Sequence, residues 1–168
     1  GDSASCDFDV AEILGYQTRL SPSDEALVGG YLAAKYGIST AYPAYKGPTS
    51  AIALKKPPVV VKKTGSKAAT LSVKKDLVCW YDAAVGVTTD GNGALKSWND
   101  LSGNLHHGTP GRGDAVLALN QINSRPAVKF RRNWLALGGT FFAKEQYIVV
   151  RSPSDKWSGA GSFLGRLK

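Results

Sequence analysis

Hydrophobic residues fall in short runs along the chain, and the first run predicts a β-strand over residues 8–16, which a polar turn ends. A helix is predicted next, because Ser21 is a suitable N-cap, Pro22 suits the first helical position and Gly37 is typical of a helix end. Two adjacent glycines inside this helix indicate close packing. Apolar residues at helical spacing predict that one face lies on a sheet: Leu27, Val28, Tyr31, Leu32, Ala34 and Tyr36.

The last part of the chain has short apolar runs separated by turn residues. The predicted strands cover residues 77–82, 94–98, 126–130, 134–137 and 146–151. Glycine, asparagine and aspartate mark predicted turns at 90–93, 102–104, 108–113 and 138–139. Many short strands with such turns predict a mainly β fold, an antiparallel sandwich rather than a parallel α/β sheet, with one short helix near residues 22–36.

Residues 43–75 differ from both flanking regions because prolines and lysine pairs interrupt their apolar pieces. Such a composition is typical of a linker or of an edge strand protected against aggregation. The chain is therefore divided into an early segment at 1–42, a Pro/Lys-rich linker at 43–75 and a late segment at 76–168.

Composition narrows the class of protein. The chain has 168 residues, of which 43% are hydrophobic and 20% are charged, so it is able to bury a core and is not a disordered polymer overall. No apolar run approaches the roughly 20 residues of a membrane-spanning helix, so we expect no membrane insertion. The sequence begins at Gly1 without a methionine, which favours a processed product or an excerpt of a longer chain.

The net charge of +8 is distributed unevenly. Residues 1–45 carry two basic and six acidic side chains, residues 46–75 carry eight lysines and no acid, and residues 76–168 carry eleven basic and seven acidic side chains. The lysine-rich stretch has no arginine and no aromatic residue, which specific nucleic-acid readers use for base edges and stacking. A solvated linker is therefore favoured over a nucleic-acid site.

The two cysteines, Cys6 and Cys79, lack the spacing of a zinc site or of a disulfide framework. Cys6 precedes the predicted strand at 8–16 and Cys79 lies in the predicted strand at 77–82. One bridge between them and two buried free thiols are both compatible with the sequence.

The order of motifs in the late segment carries a resemblance. The segments 77–83 (LVCWYDA), 98–104 (WNDLSGN), 106–109 (HHGT) and 125–130 (RPAVKF) resemble the opening half of bacterial laminin-G-like domains, over roughly residues 77–166. Those domains have the concanavalin A-like jelly-roll sandwich.

The early segment resembles the closing end of the same domains. The matching pieces are 9–16 (DVAEILGY), 20–21 (LS) and 31–37 (YLAAKYG). The chain therefore has a segment like the closing end of such a domain before a segment like its opening half. The strands that the family places between these two parts are absent from the sequence. The resemblance implies either a piece of a tandem array, with the tail of one domain and the head of the next, or an incomplete or strand-exchanged jelly roll. In the second case residues 8–16 pair with residues 77–82 of the same chain or of an adjoining copy, and open sheet edges imply partner chains and an oligomer or assembly.

Tryptophans are the candidate ligand-binding residues. Trp80 and Trp98 lie in predicted strands and are assigned to the core. Trp134 and Trp157 lie beside basic or glycine-rich turns, where they suit either stacking on a sugar ring or a subunit contact. The tripeptide Arg112–Gly113–Asp114 has the sequence of an integrin-type adhesion motif, and such triplets arise often by chance.

The polar loop residues favour structural roles. Asp100 and Asn104 are interpreted as turn caps, and Asp90 and Asn92 as a turn, with calcium as the alternative for the second pair because some relatives with this sandwich hold one. His106 and His107 have no adjacent nucleophile or acid and are interpreted as loop residues that pack on the sandwich.

Glutamates are too few to suggest a glycosidase. Such an enzyme needs two carboxylates about 5–10 Å apart across a groove, and Glu12, Glu25 and Glu145 have no paired-acid motif. The sequence therefore predicts a non-catalytic segment of an exported, multi-domain surface protein that binds glycan or protein. The alternatives are a structural block of a surface layer, filament or virion without sugar recognition, and a glycoside hydrolase fragment.

Overall fold

The computed structural model describes residues 8–42, 70–111, 115–131 and 134–152. In this part of the chain it forms one helix and nine strands: β1 (Phe8–Tyr16), α1 (Pro22–Tyr36), β2 (Leu77–Asp82), β3 (Val87–Thr89), β4 (Leu95–Trp98), β5 (Gly108–Pro110), β6 (Val116–Ile122), β7 (Arg125–Phe130), β8 (Leu135–Leu137) and β9 (Glu145–Arg151). The mainly β prediction with one short helix is confirmed.

The strands form two antiparallel sheets. The four-stranded sheet has the order β3-β4-β5-β8, and the five-stranded sheet contains β2, β1, β7, β6 and β9. Strand β1 pairs with β9 over residues 9–16, with β7 over residues 8–10 and with β2 over residues 12–16. Strand β9 therefore lies on one edge of β1, and β7 and β2 share the other edge end to end. The predicted pairing of residues 8–16 with 77–82 is confirmed.

The five-stranded sheet buries apolar side chains on both faces. One face packs on the four-stranded sheet and forms an inter-sheet core that includes Trp98, Phe130 and Tyr81. The other face packs on α1 and forms a helix-side core that includes Leu14 and Tyr31. The described fold is thus three layers, helix on sheet on sheet, which is how a two-faced sheet removes its apolar surface from water.

An irregularity in β1 decides which side chains face the helix. The register against β9 shifts between Val10 and Glu12. Before the shift, Val10 lies in the inter-sheet core; after it, Leu14 and Tyr16 lie in the helix-side core. Because an extra residue in a strand reverses the alternation of its side chains, the shift turns Glu12 toward α1.

The helix begins and ends as the sequence predicts. The side chain of Ser21 accepts a hydrogen bond from the Asp24 amide, Pro22 occupies the first turn, and Gly37 closes the helix with φ +61°. One assignment in the buried stripe is wrong, because Ala34 is exposed and its neighbour Lys35 turns inward, where its side chain is 8% exposed.

Close packing at the helix glycines is confirmed for Gly29. A Cβ at this position would lie 2.2 Å from the ring of Tyr42, whose hydroxyl donates to Glu25 at 3.1 Å. The aromatic ring therefore occupies the space of the missing side chain.

Three strands were not predicted. The turn assigned to 108–113 is wrong at its start, because Gly108–Pro110 form β5 between β4 and β8. A Cβ at Gly108 would lie 2.6 Å from the Leu135 side chain, so glycine here serves close strand packing rather than a turn. Val87–Thr89 is short, and Val116–Ile122 lacks clean alternation, with Leu119 61% exposed.

Residues 70–75, at the end of the predicted linker, pack on the helix-side core. Leu71 and Val73 are buried, and the Tyr16 hydroxyl donates to the Val73 carbonyl at 3.0 Å. The rest of the predicted linker lies outside the described residues, as does the lysine-rich stretch before residue 70. The described part of the chain contains no helix with the length and apolar content that crossing a membrane requires.

Candidate functional site

Trp134 immediately precedes strand β8 and is 56% exposed. A Cβ built on Gly111 would lie 2.4 Å from three atoms of the six-membered ring of Trp134, so the backbone of Gly111 lies over the face of the indole. The Gly111 amide also donates to the Trp134 carbonyl at 3.0 Å. The absence of a side chain at residue 111 therefore lets the backbone support this exposed ring.

Other exposed apolar side chains lie near the opposite end of β8. Leu137 is 40% exposed, Leu105 is 71% exposed and Phe142 is 71% exposed. Single exposed apolar residues are common on protein surfaces, so these three are weaker candidates for a ligand-binding site than an aromatic ring that the backbone supports. The second predicted ligand-binding residue, Trp157, lies outside the described residues, as does the Arg112–Asp114 tripeptide.

The two histidines have packing contacts, as expected. The His106 ring lies 4.5 Å from the Phe141 ring, and its Nδ1 lies 2.8 Å from the Gly138 carbonyl oxygen. His107 accepts a hydrogen bond from the Asp100 amide at 3.1 Å through Nδ1. The His106 ring therefore joins the 100–108 loop to residues 138–141, whereas the His107 ring closes the loop on itself.

The Asp100 side chain organises the same loop. Its Oδ1 accepts from the amides of Trp80 and Ser102, both at 2.9 Å, and its Oδ2 accepts from the Ser102 hydroxyl and the His106 amide. The Asn104 amide group donates to the Leu77 carbonyl at 2.9 Å. The predicted turn-capping role of Asp100 and Asn104 is confirmed.

Asp90 also has the geometry of a turn cap. Its Oδ1 accepts from the amides of Asn92 at 2.8 Å and Ala94 at 2.9 Å. These backbone hydrogen bonds lower the pKa of the Asp90 carboxyl because they stabilise its charged form. Among the described residues, no three acidic, histidine or cysteine side chains come together as a metal site.

A cluster of charged side chains that the sequence interpretation missed lies beneath α1. We call Glu12, Lys35 and Asp82 the buried ionic cluster. The Lys35 Nζ donates to Glu12 Oε2 at 2.8 Å and to Asp82 Oδ2 at 2.6 Å, and the two carboxylate side chains are 0% and 5% exposed. The available signal was a charged residue flanked by apolar residues in each element: Glu12 in β1, Lys35 in the last turn of α1 and Asp82 at the end of β2.

Aromatic residues complete the environment of this cluster. The Tyr31 hydroxyl and the Trp80 Nε1 donate to Glu12 Oε1 at 2.8 and 2.7 Å, and Lys35 Nζ also donates to Tyr31 at 2.9 Å. Burial raises the pKa of Glu12, and the nearby Asp82 carboxylate raises it further, against the lowering effect of Lys35. Burial likewise raises the pKa of Tyr31.

The core assignment of Trp98 is confirmed, since it is fully buried between the sheets. Trp80 is half-buried, packs against the helix-side core and also contributes its indole N–H to the buried ionic cluster. The two tryptophans therefore differ, because the Nε1 of Trp98 has no hydrogen-bond acceptor among the described residues.

Glu12 and Glu145 do not face each other. Glu12 pairs with Val149, whereas Glu145 pairs with Tyr16, so four strand positions, or about 13 Å, separate them along the sheet. Glu12 is fully buried, and Glu145 accepts from the Leu20 amide at 2.7 Å. This pair has the geometry of two structural carboxylates rather than of a cleft.

A second buried carboxylate is paired near the end of β9. Asp9 is 0% exposed and lies 3.1 Å from a guanidinium nitrogen of Arg131 and 2.7 Å from one of Arg151. The Arg151 side chain also donates to Gln121 at 2.7 Å. These contacts join the ends of β1, β7, β6 and β9.

Cys79 is a buried free thiol, and Cys6 lies outside the described residues. Burial raises the pKa of the Cys79 thiol to about 12, which suppresses the reactive thiolate.

Comparisons with known proteins identify no family for this chain. Neither the family models, nor the curated proteins, nor the solved structures contain a match.

Proposed function

We propose that the chain is a non-catalytic, glycan-binding β-sandwich module from an exported, multi-domain surface protein. The observation that carries this proposal is the exposed indole of Trp134, supported by the backbone of Gly111. The C–H face of a sugar ring is apolar, and a flat, preorganised aromatic surface binds it with little loss of side-chain entropy.

A laminin-G-like jelly-roll organisation is part of the proposal. It is supported by the antiparallel pairing of β1 with β2, the strands that the resemblance assigns to the closing and opening ends of such a sandwich. It is also supported by two packed antiparallel sheets. Laminin-G-like sandwiches are extracellular recognition modules, which is the basis for placing this chain outside the cell or on a cell or virion surface.

A glycan array tests the binding function directly. We expect the full chain to bind a subset of glycans, and we expect Trp134→Ala to weaken binding tenfold or more, which corresponds to about 1.4 kcal/mol. Phe142→Ala is the matched control, because Phe142 is a more exposed aromatic residue and is not among the nearest neighbours of any glycine in the described part of the chain. Gly111→Ala should also weaken binding, since the new methyl group would displace the indole.

The results separate the alternatives. An equal loss of glycan binding in Trp134→Ala and Phe142→Ala would show that the sugar binds elsewhere or binds nonspecifically. A folded wild-type chain that binds no glycan on the array would overturn the proposal.

A structural building block is the second candidate, and the sheet edges favour it. Among the described residues, β8 pairs only with β5, and β9 pairs only with β1, so each has an outer edge without a partner strand. Such edges recruit strands from other chains. Sedimentation and electron microscopy test this candidate: ordered polymers that Val150→Lys on β9 disrupts would support it, and a monomer at high concentration would contradict it.

A further inference from the structure

We infer that the ε-amine of Lys35 and the side-chain carboxyl of Asp82 condense to an isopeptide bond, with Glu12 as the proton carrier. Lys35 Nζ is in contact with both carboxyl groups, 2.6 Å from Asp82 Oδ2 and 2.8 Å from Glu12 Oε2. The buried ionic cluster lies beneath α1 and shares no residue with the exposed Trp134 ring or with Gly111. The isopeptide bond is therefore independent of glycan binding.

The register of the strands brings the two acids together. Glu12 and Asp82 are direct cross-strand partners in the β1–β2 pair, so their side chains leave the same face at neighbouring positions. Like charges opposite each other repel, and Lys35, which reaches down from the last turn of α1, is their shared partner. One amine is thus fixed against two carboxyl groups.

Burial favours condensation over a lasting ion pair. The side chains of Glu12, Lys35 and Asp82 are 0%, 8% and 5% exposed, so their charges lack the hydration that stabilises ions in water. Forming an amide removes one positive and one negative charge from this site and releases one water. Reacting groups held in contact behave as if present at about 10⁵–10⁸ M, which offsets the cost of condensation.

Each chemical step has a group in place. Proton transfer from the Lys35 ammonium to the Asp82 carboxylate gives a neutral amine and a neutral acid. The nitrogen then attacks Cγ of Asp82 and forms the Nζ–Cγ bond. The Ala84 amide, which donates to Asp82 Oδ1 at 2.9 Å, stabilises the oxyanion that develops on that atom.

Glu12 completes the proton transfers. As a carboxylic acid it gives a proton to the departing Asp82 oxygen, which leaves as water when the Cγ–Oδ2 bond breaks. It recovers a proton from the attacking nitrogen, so it ends the reaction as it began. Burial raises the pKa of Glu12, which favours the acid form that this role requires. Tyr31, hydrogen-bonded to both Glu12 and Lys35, holds the pair in position.

Intact-mass spectrometry of the denatured full chain tests the bond. We expect a mass lower than the sequence mass by one water, and a tryptic map in which the peptides containing Lys35 and Asp82 are joined and cleavage after Lys35 is blocked. A folded wild-type chain with the full sequence mass would overturn the inference.

Three variants make the test specific. Lys35→Arg keeps the positive charge but removes the amine nucleophile, so it should have its full sequence mass. Glu12→Gln should accumulate the unreacted form. Asp82→Asn should lose ammonia instead of water, because its leaving group is the amide nitrogen.

Water loss also has another source in this chain, the cyclisation of Asp90 onto the amide of Gly91. That reaction would persist in Lys35→Arg and leave the Lys35 peptide separate. Water loss of this kind, without a joined Lys35–Asp82 peptide, would therefore count against the isopeptide bond.

Discussion

The two faces of the five-stranded sheet are stabilised by different interactions. The helix-side core lies against the buried ionic cluster, in which the Tyr31 hydroxyl donates to Glu12, whereas the inter-sheet core consists mainly of aromatic and aliphatic side chains such as Trp98 and Phe130. Apolar contacts are non-directional and hold two broad sheets together. A single helix covers less area, and the directional contacts of Lys35 fix its position on the sheet.

The largest effect is expected when the cation is removed from the helix side. Lys35→Met leaves Glu12 and Asp82 opposite each other without a counter-charge, and breaking such a buried pair costs about 3–5 kcal/mol of unfolding free energy. Loss of a covalent link would add to this cost. Urea unfolding measures it, with Lys144→Met as the control at an exposed lysine, where a change within about 0.5 kcal/mol is expected. Equal effects would show that Lys35 does not bind the helix to the sheet.

Trp80 packs against the helix-side core and Trp98 lies in the inter-sheet core, so substitutions of these two residues test the two faces of the sheet separately. Trp80→Phe removes a donor to the buried Glu12 carboxyl and should cost about 1–3 kcal/mol, the range for leaving a buried polar group without its partner. The cost should fall in a Glu12→Gln background. Trp98→Phe removes ring volume and an indole N–H that has no acceptor among the described residues, and neither contacts Glu12. Its cost should therefore be the same in both backgrounds, and a double-mutant cycle measures this difference. Coupling between Trp98 and Glu12 as large as that for Trp80 would contradict the separation of the two faces.

A smaller effect is expected where the helix meets the residues that follow it. Gly29→Ala gains up to about 1 kcal/mol of helix propensity, yet its methyl group would enter the Tyr42 ring, and overpacking costs about 1–3 kcal/mol. We expect a net loss of stability in thermal unfolding. In a Tyr42→Ala background the same substitution should stabilise the protein, and a stabilising effect with Tyr42 present would show that the ring moves away freely.

The sequence predicted the elements whose ends are chemically marked. Ser21, Pro22 and Gly37 defined α1 because capping is local, and residues 8–16 and 77–82 were predicted as partners from the resemblance. The buried ionic cluster was not predicted, because its members are separated by 23 and 47 positions and meet only after β1 changes its alternation near Glu12. The strand at 108–110 was missed because Gly108 serves packing there and resembles a turn residue.

The smallest effect is a dependence of stability on pH that belongs to the helix side alone. The folded state raises the pKa of Glu12 above its ordinary value of 4.5, so between these two values the folded chain binds more protons than the unfolded chain. The contribution of Glu12 to stability is therefore greatest at and below pH 4.5 and is lost as the pH rises through the folded-state pKa, by at most about 1.4 kcal/mol per pH unit. Glu12→Gln removes this titration. Urea unfolding across the pH range should show the wild-type chain losing stability relative to Glu12→Gln as the pH rises above 4.5, while Trp98→Phe keeps the wild-type slope. Parallel curves for wild type and Glu12→Gln would mean that Glu12 titrates normally, and the distinction between a charged helix side and an apolar inter-sheet side would lose its electrostatic basis.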